Sequence, residues 1–217
     1  MSLRALFHSK KHSKTVVLID IGAESVGGAY AQYLEGEKPL VHYTHRTPIQ
    51  IRRGEPHEDA MLHALSELGE NLVREGAPML VRALGNAVVD SVLVSIDAPW
   101  QTTSGRTEYL EQEEPFTFTK NMVTAALKKT SAPPPGKMLA DESIIGTILN
   151  GYETRDPYGK QAHRASIIVL SSLIDEGVAK RIHEALRSLY HTRSVFTIAG
   201  TSLHYQALCI AFPHERD

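Results

Sequence analysis

The sequence predicts a mixed α/β fold, and three observations support this prediction. Three strand-like segments come first, separated by turns that contain glycine: 16–21, 26–34 and 40–46. Apolar residues between Glu58 and Arg74 then take the spacing of one helix face, and 77–84 continues this helix after a glycine. Strand and helix patterns alternate from there to Phe212 without an internal repeat.

The later elements each have a local signal. Thr119 can cap a helix with its hydroxyl group, and the proline-rich run at 131–136 ends that helix because proline has no amide hydrogen. The polar stretch at 101–114 predicts a hairpin or an extended loop. The remaining predicted elements are strands at 88–96, 138–152, 162–171 and 194–198, and helices that begin at Asp175 and Gly200.

Composition excludes several classes of function. Lys and Arg number 23 and Asp and Glu 25, so the formal charge is -2 and nucleic acid is not an expected partner. The single cysteine, Cys209, excludes an internal disulfide and a cysteine-rich zinc site, and the eleven histidines lack the spacing of a metal site. No apolar run approaches the roughly 20 residues that cross a bilayer, so membrane contact is expected only indirectly or through segments that this sequence does not include.

The basic segment at 1–14 is expected to form a disordered tail. It lacks the continuous apolar core and the cleavage site of a secretory signal. A short amphipathic helix on a membrane surface is the alternative for this segment, since Leu3, Leu6 and Phe7 could share one helix face.

The sharpest local feature is the turn Asp20-Ile21-Gly22-Ala23-Glu24-Ser25, which follows a predicted buried strand and leads into a second strand. Backbone amides in such a turn can approach a phosphate, because glycine has no side chain in the way. The turn is neither a P-loop nor a Rossmann turn, since no Gly-Lys-Ser or Gly-Lys-Thr follows and the next element is a strand. A plain β-hairpin with a glycine corner is the alternative.

Four segments, in order, resemble parts of one protein family. VVLIDIGAESVGGAYAQ resembles the first phosphate hairpin of the actin, sugar kinase and heat-shock ATPase superfamily. SVLVSIDAPWQTTSGRTEYLEQEEPFTFTKNMVTAALKK is similar to the small inserted subdomain of the FtsA and PilM branch. NGYETRDPYGKQAHRASIIVLSSLIDEGVAKRIHEAL resembles the strand, turn, strand and helix that follow in FtsA, and RSVFTIAGTSLHYQALCIAF resembles the return to the first subdomain.

The resemblance extends from Thr15 to Phe212 and implies a domain organisation. We expect an α/β, actin-like (ribonuclease H-like) first domain at 15–87 plus 194–212, with a small α+β subdomain inserted at 88–190. The first domain is therefore expected to be discontinuous in sequence.

The same resemblance implies a nucleotide contact. Asp20 would lie near a metal-bound water of Mg-ATP. The residues placed near the terminal phosphates are Gly22, Ala23, Glu24 and Ser25. Ala23 and Gly27 stand where the superfamily usually has Ser or Thr and often Lys, which reduces the phosphate contacts. The second phosphate turn of the family belongs to a second half that would follow Phe212, so Mg-ATP binding is expected in a full-length protein, and neither nucleotide binding nor catalysis by this chain alone.

The family also implies partners. In FtsA the inserted subdomain contributes to protomer contacts in filaments and to recruitment of division proteins, and the complete protein links the division ring to the membrane. We therefore expect a cytoplasmic assembly module at the inner face of the cell membrane, with division or pilus-assembly proteins and further copies of itself as partners. The predicted partner-binding residues are Trp100, Arg106, Tyr109 and Glu111. Trp100 could instead cover the predicted hairpin.

Three other functions are compatible with the sequence. The first is a PilM-like role in a type IV pilus or secretion platform. The second is one half of an actin-fold ATPase or sugar kinase, which a second glycine-rich phosphate turn in a longer reading frame would favour. The third is a module that has lost ATP altogether.

Overall fold

A computed structural model describes residues 13–130 and 133–212. The strands are β1 (Ser13–Ile21), β2 (Ser25–Leu34), β3 (Leu40–Pro48), β4 (Ser91–Ile96), β5 (Gln101–Thr117), β6 (Lys137–Leu149), β7 (Tyr152–Glu153), β8 (Gln161–Asp175) and β9 (Val195–Ala199). The α-helices are α1 (His57–Asn71), α2 (Ala77–Leu84), α3 (Lys120–Thr130), α4 (Glu176–Tyr190) and α5 (Gly200–Ala211). One π-helical turn, Leu72–Gly76, joins α1 to α2.

Two predicted segments fall partly outside the described residues. Residues 1–12 of the predicted basic tail lie outside them, whereas Ser13 and Lys14 belong to β1, so the tail prediction was wrong at these two positions. Residues 131–132 of the predicted proline-rich connector also lie outside the described part of the chain.

The described chain divides into two compact units. The first contains 13–95 and 181–196, and the second contains 96–180 and 197–212. These limits differ from the predicted domain bounds, 15–87 plus 194–212 and 88–190, which stay a prediction.

The first unit is built on a sheet with the strand order β3-β2-β1-β4-β9. β1, β2 and β3 form an antiparallel meander, as predicted. Every second residue of β1 points to one face, so Val17, Ile19 and Ile21 are buried. Helix α1 packs against β2 and β3 and buries Met61 and Leu65 at helical spacing.

The second unit is an antiparallel sheet with the order β5-β8-β6-β7 and a helix against it. Helix α3 packs against β5, and Thr119 accepts a hydrogen bond from the amide of Met122 at 3.4 Å, which confirms the predicted cap. The residues of this core are Phe116, Phe118, Val123, Ala126, Leu149, Ala162, Ala165, Ile167 and Val169. A fully buried aliphatic or aromatic side chain of this kind contributes about 1.5–3 kcal/mol.

The prediction of a hairpin or loop at 101–114 was wrong, because this stretch forms most of the 17-residue strand β5. The strand lies at the edge of its sheet, and only a few of its side chains, such as Leu110 and Phe116, reach the core. An edge strand with one solvated face needs few apolar residues. The apolar alternation that identifies other strands is therefore missing here.

The predicted α/β fold class is confirmed. A meander covered by a helix opens the first unit, and the second unit has its own antiparallel sheet with a helix against it. Among the helices within 13–130 and 133–212, none is long and apolar enough to cross a membrane.

Candidate functional site

The candidate phosphate hairpin joins β1 to β2 in the first unit. Asp20 is the penultimate residue of β1 and lies opposite Gly27 of β2. The turn is closed by the amide of Gly22, which donates a hydrogen bond to the carbonyl of Ser25 at 3.0 Å. The structure thus forms a tight turn between two antiparallel strands at this position.

Arg46 of β3 lies over this hairpin. Its Nη2 donates to Oδ2 of Asp20 at 2.6 Å, and its Nη1 donates to Oγ of Ser25 at 2.9 Å. Arg46 lies directly opposite Gly27, and a Cβ atom at Gly27 would come within 2.6 Å of Nη2. Glycine at position 27 therefore leaves the room that the guanidinium occupies. We call these four residues, Asp20, Ser25, Gly27 and Arg46, the Arg46 clamp.

The Arg46 clamp does not fit the predicted contacts with Mg-ATP. Mg²⁺ prefers carboxylate, phosphate and water oxygens in an octahedral arrangement. The carboxylate of Asp20 instead holds a guanidinium, and two cations on one carboxylate repel each other. The amide of Gly22 is also engaged within the turn. We therefore derive no step through a nucleotide, and the nucleotide contacts of Gly22, Ala23, Glu24 and Ser25 stay a prediction.

Sequence reasoning missed two residues at this hairpin. Arg46 was not singled out, and Nε2 of His57 lies 3.3 Å from the carbonyl oxygen of Ala23. Both residues come from segments that follow β2, so only the pairing of β3 with β2 could have indicated Arg46. No group of three or more metal-ligating side chains occurs in the described residues.

The predicted partner-binding residues lie in the second unit and have unequal access to solvent. The side chain of Trp100 is only 9% exposed, which excludes it as an exposed anchor, and the hairpin that it was alternatively expected to cover is replaced by strand β5. Tyr109 is 76% exposed, and Glu111 is exposed with Oε1 4.0 Å from Nε of Arg164. Tyr109 and Glu111 alternate along β5 and so point to the same face.

Arg106 is tied into an internal network. Its Nε donates to Glu108 at 2.8 Å, and its Nη1 donates to Glu142 and to the hydroxyl of Ser171, both at 2.7 Å. These contacts link β5, β6 and β8 across one face of the sheet. Arg106, which was predicted to bind a partner, is therefore already hydrogen-bonded within the chain.

No family model matches the sequence, and no curated protein matches it. Among solved structures, the chain is similar to the PilM-PilN type IV pilus biogenesis complex, with 14% identity over 85% of this chain and 46% of that chain, and a TM-score of 0.47. It is also similar to a protein of actin-like ATPase fold and unknown function from Bacteroides thetaiotaomicron, with 10% identity over 91% of this chain and 56% of that chain, and a TM-score of 0.38.

A member of the Ppx/GppA family from Aquifex aeolicus has 18% identity over 40% of this chain and 26% of that chain, with a TM-score of 0.28. The chain spans about half the length of the first two structures. At these identities and TM-scores we draw no functional argument from the likeness.

Proposed function

We propose that the chain is a protein-interaction and assembly module of an FtsA-like actin homologue that acts in bacterial cell division. The family assignment rests on the four segments that follow the family order between Thr15 and Phe212. The assembly role rests on β5, a 17-residue edge strand that exposes Tyr109 and Glu111. An edge strand offers backbone donors and acceptors to a second chain, and an exposed tyrosine supplies contact area.

The partners we propose are other division proteins and further copies of the chain. In a full-length protein the module would act in the cytoplasm, at the inner face of the cell membrane, and would help to link the division ring to that membrane. Any Mg-ATP binding would belong to the full-length protein.

A PilM-like role in a type IV pilus or secretion platform receives equal support. It would use the same fold and the same exposed strand with a different partner, so the two roles differ only in what binds. An independent ATPase or sugar kinase receives less support, because the Arg46 clamp holds the carboxylate that such an enzyme would offer to its metal.

The proposal can be tested by photocrosslinking in the native cells. A photoreactive phenylalanine analogue replaces Tyr109 in one variant and Tyr33, which is 38% exposed in the first unit, in a control variant. We expect covalent products at position 109 that mass spectrometry identifies as division proteins or as a second copy of the chain, with far fewer at position 33. Products with pilus or secretion proteins would transfer the assignment to the PilM-like role. Equal products at both positions, or none, would contradict an assembly role for β5.

A further inference from the structure

We propose that two copies of the chain pair through β5, as antiparallel strands related by a two-fold axis at Thr107. In the part of the chain that the structure describes, β5 is hydrogen-bonded to β8 on one side and to no strand on the other. The inference rests on the proposed function, which already gives further copies of the chain as partners, and it adds the strand at which two copies bind and the register of that pair.

Symmetry limits the arrangements that two such strands can adopt. In an antiparallel pair with its two-fold axis normal to the sheet, one residue faces its own copy, and residues equally far on either side face each other. With Thr107 at the axis, Arg106 faces the partner's Glu108, and Gly105 faces the partner's Tyr109. Directly opposite residues point to the same face of the sheet.

The charges of β5 are complementary to themselves in this register. Arg106 and Glu108 lie on one face and already bond to each other within the chain. Across the axis, the guanidinium of each Arg106 also faces the Glu108 carboxylate of the partner. The two guanidinium groups and the two carboxylates therefore alternate in sign around a square. Moving the axis by one residue would place Arg106 opposite Arg106 or Glu108 opposite Glu108, and like charges opposite each other are destabilising.

Gly105 supplies an independent observation. It lies in the middle of a long strand, where glycine weakens a sheet. Its backbone does not have a positive φ, and a Cβ atom added there would meet nothing within 4 Å. Neither conformation nor crowding within the chain therefore requires glycine at this position. In the proposed register, the exposed ring of the partner's Tyr109 covers Gly105 on the open face, and an aromatic ring over a strand glycine is a recognised stabilising pair.

A second copy of this chain is the occupant that these observations favour. Both the charge pairs and the glycine–tyrosine pairs occur twice in a symmetric dimer, whereas an unrelated strand would match them only by carrying a similar sequence. The internal pairing of β5 with β8 stays intact, because the partner binds at the opposite edge.

Disulfide crosslinking tests the register. Thr107→Cys is made in a Cys209→Ser background, which leaves one thiol per chain. Facing residues of antiparallel strands have Cα atoms about 4.5–5.5 Å apart, within the range that a disulfide bridges. We expect rapid formation of a covalent dimer with a mild oxidant such as copper phenanthroline.

Thr103→Cys in the same background is the matched control, since both threonines are exposed on β5. The two copies of position 103 would lie roughly 27 Å apart along the strands and should not crosslink. A mixture of the Thr103→Cys and Glu111→Cys chains should crosslink to each other, because these positions face each other in the proposed register. Equal crosslinking at 103 and 107, or crosslinking at neither, would overturn the proposal.

The noncovalent dimer is measured by light scattering and sedimentation. We expect the wild-type chain to reach twice its mass of 24.0 kDa as its concentration rises. Tyr109→Ser should weaken this association roughly tenfold. Tyr152→Ser, which changes an equally exposed tyrosine at 77% on β7, should leave it unchanged. If the wild-type chain still had the mass of a single chain at a concentration of about 100 μM, the inference would be contradicted.

Discussion

At the residue scale, Arg46 decides what the Asp20 hairpin can bind. The guanidinium neutralises the carboxylate and also holds Ser25, although the side chains of Arg46 and Asp20 are 56% and 47% exposed. We predict that the chain binds Mg-ATP no tighter than about 1 mM, a free energy of roughly 4 kcal/mol. Calorimetric titration should therefore show the same weak or absent heat for the wild type and for Asp20→Ala.

Arg46→Ala, which removes the guanidinium from the hairpin, is measured beside these two proteins. Removal of an exposed ion pair should lower the free energy of unfolding by at most about 1 kcal/mol, so the variant stays folded. Micromolar binding by the wild type that Asp20→Ala abolishes would mean that the hairpin holds a nucleotide despite the clamp.

Gly76 gives a second prediction at this scale. A Cβ atom there would lie 2.8 Å from the rings of both Tyr30 and Tyr43, so the π-helical turn can pass over these rings only with glycine. We expect Gly76→Ala to lower the free energy of unfolding by about 1–3 kcal/mol through overpacking. Gly105→Ala, in open space on an extended strand, should be neutral or stabilising by up to about 1 kcal/mol. Urea unfolding curves measure both changes, and equal losses would contradict the packing argument.

At the scale of elements, Asp175 fixes the start of α4. Its Oδ1 accepts the amide hydrogens of Gly177 at 3.0 Å and Val178 at 3.4 Å, which confirms the predicted helix start. We predict that Asp175→Ala costs about 1 kcal/mol of unfolding free energy, because these amides lose their acceptor. Asp175→Asn is the matched control: it removes the charge that pairs with Lys137 but keeps a good cap. If both variants lost the same free energy in urea unfolding, the charge and not the cap would be responsible.

The elements also separate what the sequence could predict from what it could not. The helix α1 follows from the spacing of its apolar residues, and α4 follows from Asp175 together with apolar residues at helical spacing. Strand β5 escaped prediction because an edge strand with a solvated face shows no apolar alternation. The π-helical turn also escaped, since 72–76 continues the helix without a distinct local signal.

The Arg46 clamp was not predicted because it depends on the register in which β3 pairs with β2. Near the β2–β3 turn, Ala31 faces Val41, and uniform pairing from there would place Arg46 opposite Val26, whose side chain is buried on the other face. A bulge between Tyr30 and Ala31 shifts the register by one residue and brings Arg46 opposite Gly27, on the face of Asp20. A one-residue slip exchanges the two faces of a strand. The site therefore depends on a bulge that no local pattern marks.

At the scale of the whole molecule, the buried tyrosines make the first unit sensitive to alkali. Tyr30 and Tyr190 both lie in this unit, with ring centroids 6.4 Å apart in an edge-to-face contact. Burial raises the pKa of Tyr30 from 10.0 to about 12 and raises the pKa of Tyr190 further. In the unfolded chain these phenols ionise near pH 10, whereas in the folded chain they stay protonated to a higher pH. Their contribution to stability is therefore complete below pH 10 and is lost as the pH rises toward 12.

The single tryptophan allows this loss to be assigned to one unit. Trp100 lies in the second unit and is buried, so its fluorescence reports unfolding there, whereas far-ultraviolet circular dichroism reports both units. We predict that at pH 11 the dichroism begins to fall at a lower urea concentration than the fluorescence changes. The separation between these two urea concentrations should be smaller at pH 7. Tyr190→Phe should reduce the separation at pH 11, because phenylalanine cannot ionise and the hydroxyl of Tyr190 has no hydrogen-bond partner among the described residues. If the two signals instead moved together at both pH values, the units would unfold as one, and the alkaline sensitivity would belong to the whole chain.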